Sequence, residues 1–265
     1  MKLTPLGKTL IFFIGLGLMI TALYRFVPRE KQFWRKWMAK GPAATTSATP
    51  GPHAKVPPPV GDSATWMTIP AGRFRSGSKG TDAETAAFRI QKNEVTNREY
   101  AAFLSACAVG SDCGPRELPA YWDDTGYLDT HAEHPVVFVS WGDASGFCRW
   151  LGGRLPTARE WEKAARGDDG RVFPWGDSVD AGQVNILGTE RRAEKTRAPK
   201  QIASWAVTDS RYARDASPFG VLGMAGNVSE WTGSASDEEP DLMLVAGGSW
   251  DSWELNDART FHRLP

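Results

Sequence analysis

Sulfur and imidazole are scarce in this sequence. Its 265 residues include three cysteines (Cys107, Cys113 and Cys148) and four histidines. No CxxC pair occurs, which excludes a zinc site of the usual spacing, and three thiols are too few for a disulfide framework. An excess of charge of one sign is also missing. The 31 Lys and Arg balance 31 Asp and Glu, so there is no bulk attraction to nucleic acid. No internal repeat of about 20–50 residues is present, which excludes solenoids and propellers. What the chain has in quantity is 27 Gly, 18 Pro and 12 Trp. The first two call for many turns and short elements. The tryptophans call for a core of large rings or a surface that buries itself in a partner.

The chain divides unevenly. A short tail, residues 1–8, precedes an uncharged run from Thr9 to Tyr24. As a helix this run reaches roughly 24 Å, and with Phe26 and Val27 and snorkelling Lys8 and Arg25 it approaches the ~30 Å hydrocarbon core. A signal peptide, a buried helix and a retained anchor are the three readings. No small-residue cleavage site follows Tyr24, and an extreme terminus that is apolar all round is hard to bury in one domain. A transmembrane helix over residues 9–27 is therefore the expectation. Residues 28–40 place Phe33, Trp34 and Trp37 among Arg35, Lys36 and Lys40, a pattern suited to lipid headgroups or to a solvated linker. Residues 41–63 form a Pro- and Ala-rich linker stiffened by Pro57, Pro58 and Pro59.

Residues 64–265 carry the globular domain. Thr96 and Glu99, and again Thr157 and Glu160, have capping-box spacing. Tyr100, Phe103 and Leu104 supply the first helix's apolar face; Trp161, Ala164 and Ala165 supply the last. Between them Ser140 starts a helix with Ala144, Phe147, Cys148 and Leu151 at helical spacing, stopped by Gly152 and Gly153. Pro135–Val139 reads as a buried strand, and Trp66–Pro70 and Leu242–Ala246 as short strands.

A series of segments then appears in a telling order. It includes Met67–Phe74, Glu94–Tyr100, His134–Trp141, Arg154–Arg166 and Phe173–Gly176, then Ser217–Gly220, Gly223–Trp231 and Gly247–Trp250. In this order the domain resembles the formylglycine-generating enzyme (sulfatase-modifying factor) family. That resemblance implies an α+β, C-type-lectin-like fold rich in irregular loops, here preceded by a single transmembrane helix. Family oxidases hold copper with two cysteines after a Gly-Gly-Ser-aromatic motif, because Cu(I) requires soft thiolates. Here the aligned positions are Ser252 and Asp257, and no cysteine follows Cys148. The resemblance thus implies a degenerate active site and no catalytic residue. It also implies calcium, a hard cation held by oxygen. The candidate ligands are Gly223, Gly226, Val228 and Glu230, with a weaker second site beginning at Asn185 and Ile186.

Cys107 and Cys113 flank a short Gly-containing loop that either closes as a disulfide or leaves two free thiols. A bridge favours an oxidising compartment. By contrast, six Lys and Arg from Arg25 to Lys40 against Lys2 and Lys8 point the domain inward by charge. The expectation carried forward is a single-pass protein with its domain on the periplasmic, extracytoplasmic side. Its function is expected to be that of a non-catalytic binding or scaffold module. It would be an accessory subunit of a photosynthetic, respiratory or secretion complex, with membrane protein subunits and the lipid bilayer as partners. The alternatives are a ligand-binding sensor or receptor and a family enzyme with altered, non-copper chemistry at Ser252, Asp257, Arg259 and His262.

Overall fold

A computed structural model describes residues 66–108, 118–123, 126–186, 204–252 and 254–265, all within one compact unit, residues 43–265. The expected membrane helix, interfacial segment and linker over residues 9–63 lie outside the described residues, as do Cys113 and Trp253. Among the described residues no helix is long and apolar enough to cross a membrane.

The fold mixes α and β. Strand β1 (Trp66–Ile69) pairs antiparallel with β4 (Phe88–Gln91), from Trp66 opposite Gln91 to Ile69 opposite Phe88. Between them β2 (Gly72–Ser76) and β3 (Thr81–Thr85) form a hairpin. Gly77 and Gly80, at φ 71° and 61°, supply the left-handed backbone of its turn. A third antiparallel sheet runs β5–β6–β7: Glu230–Ala235, Met243–Ala246 and Arg263–Leu264. The strands expected at the start of the domain and near residue 245 are present. The hairpin, β4 and β5 were not legible in the sequence.

Each capped helix forms where its signals lie. In α1 (Asn97–Ala108) the Glu99 amide donates to Thr96 Oγ1 at 3.2 Å, and the Thr96 amide donates to Glu99 Oε2 at 2.8 Å. A short α2 (Tyr127–His131) follows. In α3 (Trp141–Trp150) Ser140 caps the Asp143 amide, and Gly152, at φ 78°, ends the helix. In α4 (Ala158–Arg166) Thr157 and Glu160 complete the second capping box.

The expected strand at Pro135–Val139 does not form. Pro135 makes a single bridge to Thr96, and the Val137 amide donates to the Tyr121 hydroxyl at 3.0 Å instead of to a strand. Phe138 then turns to φ 55°, which breaks any extended run. The apolar residues are those of a strand, but side chains and a bend claim their backbone.

Helix α4 anchors the interior. Trp161, Ala164 and Ala165 pack on Ile69, Met224 and Ala246, tying it to the β1–β4 and β5–β6–β7 sheets. It is buried on its charged side as well. Lys163 Nζ donates to the carbonyls of Pro70 and Gly72 at 2.8 and 3.0 Å. Glu162 accepts from Ser76 Oγ, the Gly77 amide, Arg166 and Arg263. Every partner of Glu162 is polar, which is what makes a buried charge tolerable. A second cluster joins α1 and α3 through Tyr100, Phe103 and Phe147, with Phe103 and Phe147 edge to face at 5.6 Å.

Candidate functional site

Three loops that the sequence reading treated separately converge on one residue, Asn227. It sits at φ 68° and is 3% exposed. Its amide donates to the Asn185 carbonyl at 2.9 Å, and its own carbonyl accepts from the Trp250 amide at 2.9 Å. Its side-chain oxygen accepts from Asn185 Nδ2 at 3.0 Å and from the Trp205 amide at 2.6 Å. Its side-chain nitrogen donates to Glu94 Oε2 at 2.6 Å and to the Trp205 carbonyl. The amide is thus satisfied on both sides. Asn185 and Ile186, Gly223–Glu230 and the Gly247–Ser252 segment therefore form one continuous layer.

The glycines permit that closeness. A Cβ on Gly226 would stand 2.5 Å from Val184 Cγ2, and one on Gly223, at φ 80°, would stand 2.6 Å from Tyr212 Oη and 2.9 Å from Glu94 Cδ. Gly248 donates to the Ala225 carbonyl at 3.1 Å, seating the Gly-Gly-Ser-Trp segment on the Gly223–Asn227 loop.

Beneath this layer lie three acidic side chains. Glu94 accepts from Asn227 and from the Val228 amide at 3.1 Å. Asp215 accepts from the amides of Gly223 and Ala225 at 2.9 and 3.3 Å. Glu230 accepts from the Trp161 indole. Burial, then the neighbouring Glu230 charge, pushes Glu94 well above the carboxylate range. Burial pushes Asp215 up to about 7 and Glu230 up to about 7. The Tyr212 hydroxyl accepts from the Glu94 amide at 3.0 Å and closes the cluster.

The expected calcium ligands are brought together, but with few charged donors. Glu230 already engages the Trp161 indole, and the Asn185 carbonyl already accepts from Asn227. Among the described residues, no group of three or more His, Cys, Asp or Glu is arranged to hold a metal ion. An ion at Gly223, Gly226, Val228 and Glu230 would draw on one carboxylate and backbone oxygens, less charge than a hard cation usually takes.

Ser252 and Asp257, the positions that the resemblance aligns with the family's two cysteines, follow the Gly-Gly-Ser-Trp segment, and a Cβ on Gly248 would stand 3.2 Å from the Asp257 carbonyl oxygen. Ser252 Oγ accepts from the Ser249 amide at 2.9 Å. Asp257 stands 3.7 Å from His262 Nε2. One is a hydroxyl held in a turn and the other a carboxylate facing an imidazole; neither is a thiolate. Beside them runs an aromatic strip. Trp250 meets Phe138 edge-on at 6.4 Å, Phe138 meets Tyr121 at 6.0 Å, and Tyr121 meets Tyr127 at 5.0 Å. Tyr127 stacks on His131 at 4.2 Å. Phe138 is 47% exposed despite its left-handed backbone, a conformation costly for a bulky side chain. Sequence reasoning gave no role to Glu94, Asn227, Tyr212, Asp215 or Phe138. Their partners lie up to 134 residues away, and the motif segments that hold Glu94, Phe138 and Asn227 do not reveal those partners.

The sulfatase-modifying factor enzyme 1-like domain matches residues 53–263. The chain belongs to this family. Among its relatives is the formylglycine-generating enzyme of Mycobacterium tuberculosis, 30% identical over 218 residues, which cover 63% of this chain and 72% of that protein. The inactive C-alpha-formylglycine-generating enzyme 2 of Bos taurus is 37% identical over 123 residues, covering 44% of this chain and 39% of the relative. An uncharacterized Bacillus subtilis protein, YfmG, is 35% identical over 168 residues, covering 56% of this chain and 34% of its own length. The chain thus spans well under half of those last two relatives. The solved structure of CarF superposes with a TM-score of 0.54 at 18% identity, covering 76% of this chain and 91% of CarF, which shows a shared fold. The family accordingly includes both proteins named as enzymes and proteins named as inactive.

Proposed function

We propose that this member of the family is a non-catalytic binding or scaffold module, anchored by residues 9–27 as an accessory subunit of a larger membrane assembly. The observation that carries the reading is the absence of any cysteine after Cys148. Ser252 and Asp257 stand where the resemblance calls for thiolates, and hydroxyl and carboxylate oxygens do not replace soft ligands for Cu(I). The relative named inactive in Bos taurus makes such a loss of activity unexceptional within the family. Mild extraction of the full chain from its native membrane tests the scaffold role. Migration with defined partner subunits is the expected result; migration as a lone monomer contradicts it.

A receptor or sensor role is the second reading, favoured by one observation. Phe138 keeps a strained backbone while presenting a half-exposed ring beside Trp250. Strain of that kind is retained where a surface is used. Under this reading Phe138→Ala abolishes ligand binding while leaving the melting temperature within a few degrees. Calcium at Gly223, Gly226, Val228 and Glu230 is a further part of the proposal. Added calcium should raise the melting temperature and EDTA should reverse the rise; indifference to both removes the ion from the account.

A further inference from the structure

Two of the chain's four histidines meet at the end of α2. The rings of His131 and His134 lie 4.9 Å apart, centre to centre, tilted by 55°, and both residues are partly exposed. A turn sets their spacing: the His134 amide donates to the His131 carbonyl at 3.1 Å. Each ring is held from outside the pair. Tyr127 stacks on His131 at 4.2 Å with only 9° between the planes. Nδ1 of His131 lies 2.8 Å from Thr130 Oγ1, and Nδ1 of His134 lies 3.2 Å from Ser204 Oγ. The Thr130 hydroxyl donates to the Tyr127 carbonyl at 3.3 Å, which leaves its oxygen to accept from the His131 Nδ1–H. That tautomer puts the lone pair on Nε2. Burial, then the charge of His131, lowers the His134 pKa, so this ring is neutral at pH 7. The layer around Asn227 uses neither ring.

We propose that His131 and His134 form a two-imidazole site for a borderline divalent ion of the zinc class, bound through Nε2 of each ring. Imidazole nitrogen suits zinc, nickel and copper(II), whereas calcium and magnesium take oxygen. Zn–N bonds of ~2.0–2.1 Å in a tetrahedron set two ligand nitrogens about 3.3 Å apart, a separation that fits rings with centres 4.9 Å apart. An oxygen at Nδ1 is the support that orients a metal-binding imidazole, and here both rings have one. The nearby carboxylates are already engaged. Glu133 accepts from Arg98 Nε at 2.6 Å, and Asp209 accepts from Arg211 Nη2 at 2.7 Å. The site therefore offers two protein ligands, fewer than the groups of three or more that are absent among the described residues. Water completes the coordination, and the ion exchanges freely. The inference does not depend on the state of Ser252 and Asp257, nor on the oxygen ligands considered for calcium.

Zinc titration of the tag-free full chain in detergent micelles, stripped of metal and then supplied with excess calcium, tests it. Nuclear magnetic resonance of the imidazole nitrogens resolves the four histidines and needs no variant. The Nε2 signals of His131 and His134 should shift together and saturate at one ion per chain, while His53 and His262 stay in place. Excess magnesium should shift neither ring. Competition with a chromophoric chelator then gives the affinity. Loss of even a ligand's supporting partner costs about tenfold or more, so His131→Phe, which keeps a ring against Tyr127, and His134→Gln should each weaken zinc binding by at least that factor. His262→Gln, which removes the imidazole beside Asp257, should not. Four results overturn the proposal: no shift with zinc, a shift of only one of the two rings, a shift that follows His262 instead, or zinc affinity unchanged in His131→Phe.

Discussion

At the scale of single residues, the layer around Asn227 depends on positions that carry no side chain at all. Gly223→Ala places a Cβ against Tyr212 Oη and Glu94 Cδ on a backbone at φ 80°, combining overpacking with left-handed strain. A loss of about 2–4 kcal/mol is expected, measurable by urea denaturation. Gly77→Ala is the control, since its Cβ meets nothing within 4 Å although its φ of 71° is similar; it should cost only the backbone term, about 1 kcal/mol. A pair of substitutions addresses the chemistry instead. Ser252→Cys with Asp257→Cys returns two thiolates to the loop, and Cu(I) affinity absent from the parent is the expected gain, read by titration against a chromophoric competitor. Unchanged affinity would mean that the surrounding loop, not the missing sulfur, excludes the ion.

At the scale of elements, α4 joins the β1–β4 sheet to the β5–β6–β7 sheet, and its start is a capping box. Thr157→Ala should lower stability by about 1 kcal/mol. Glu160 adds a pH dependence. Hydrogen bonds from Arg154, then from Thr157, hold its carboxyl below the ordinary carboxylate range against the opposing effect of burial. A depressed folded value means that this contribution is fully present above the unfolded carboxylate pKa of ~4.3 and fades as pH falls through the folded value. Glu160→Gln should therefore lower stability at neutral pH and converge on the parent in acid, as read from melting temperatures across that range. These caps explain why the helices were legible in the sequence: Thr96 with Glu99, Ser140 with Asp143 and Thr157 with Glu160 are contacts three residues apart. Pro135–Val139 shows the opposite case. Its apolar run has strand chemistry, but the Tyr121 hydroxyl takes the Val137 amide, and no local pattern announces a partner from another element. The candidate site divides the same way. Ser252 and Asp257 were found through the family resemblance, which aligns them with two cysteines after the Gly-Gly-Ser-aromatic motif. Glu94 and Asn227, joined across 133 residues, have meaning only once the chain is folded.

At the scale of the whole molecule, the proposed membrane anchoring makes a prediction that rests on redox chemistry and charge. Cys107 is disulfide-bonded and Cys148 is a free thiol; burial pushes that thiol up to about 11, where it is inert at neutral pH. A bridge on a domain otherwise poor in cysteine fits an oxidising, extracytoplasmic setting. A reporter fused after Pro265 that is active only outside the cytoplasm should then give signal, whereas the charge asymmetry around residues 9–27 alone would leave it silent. The account as a whole rests on the proposal that Ser252 and Asp257 have replaced the family's metal-gripping cysteines. The most direct measurement is oxidation of a cysteine-bearing peptide to the formylglycine product by purified full-length protein supplied with copper and oxygen. The account predicts no product above the protein-free background; product formed in proportion to enzyme and abolished by removing copper would contradict it.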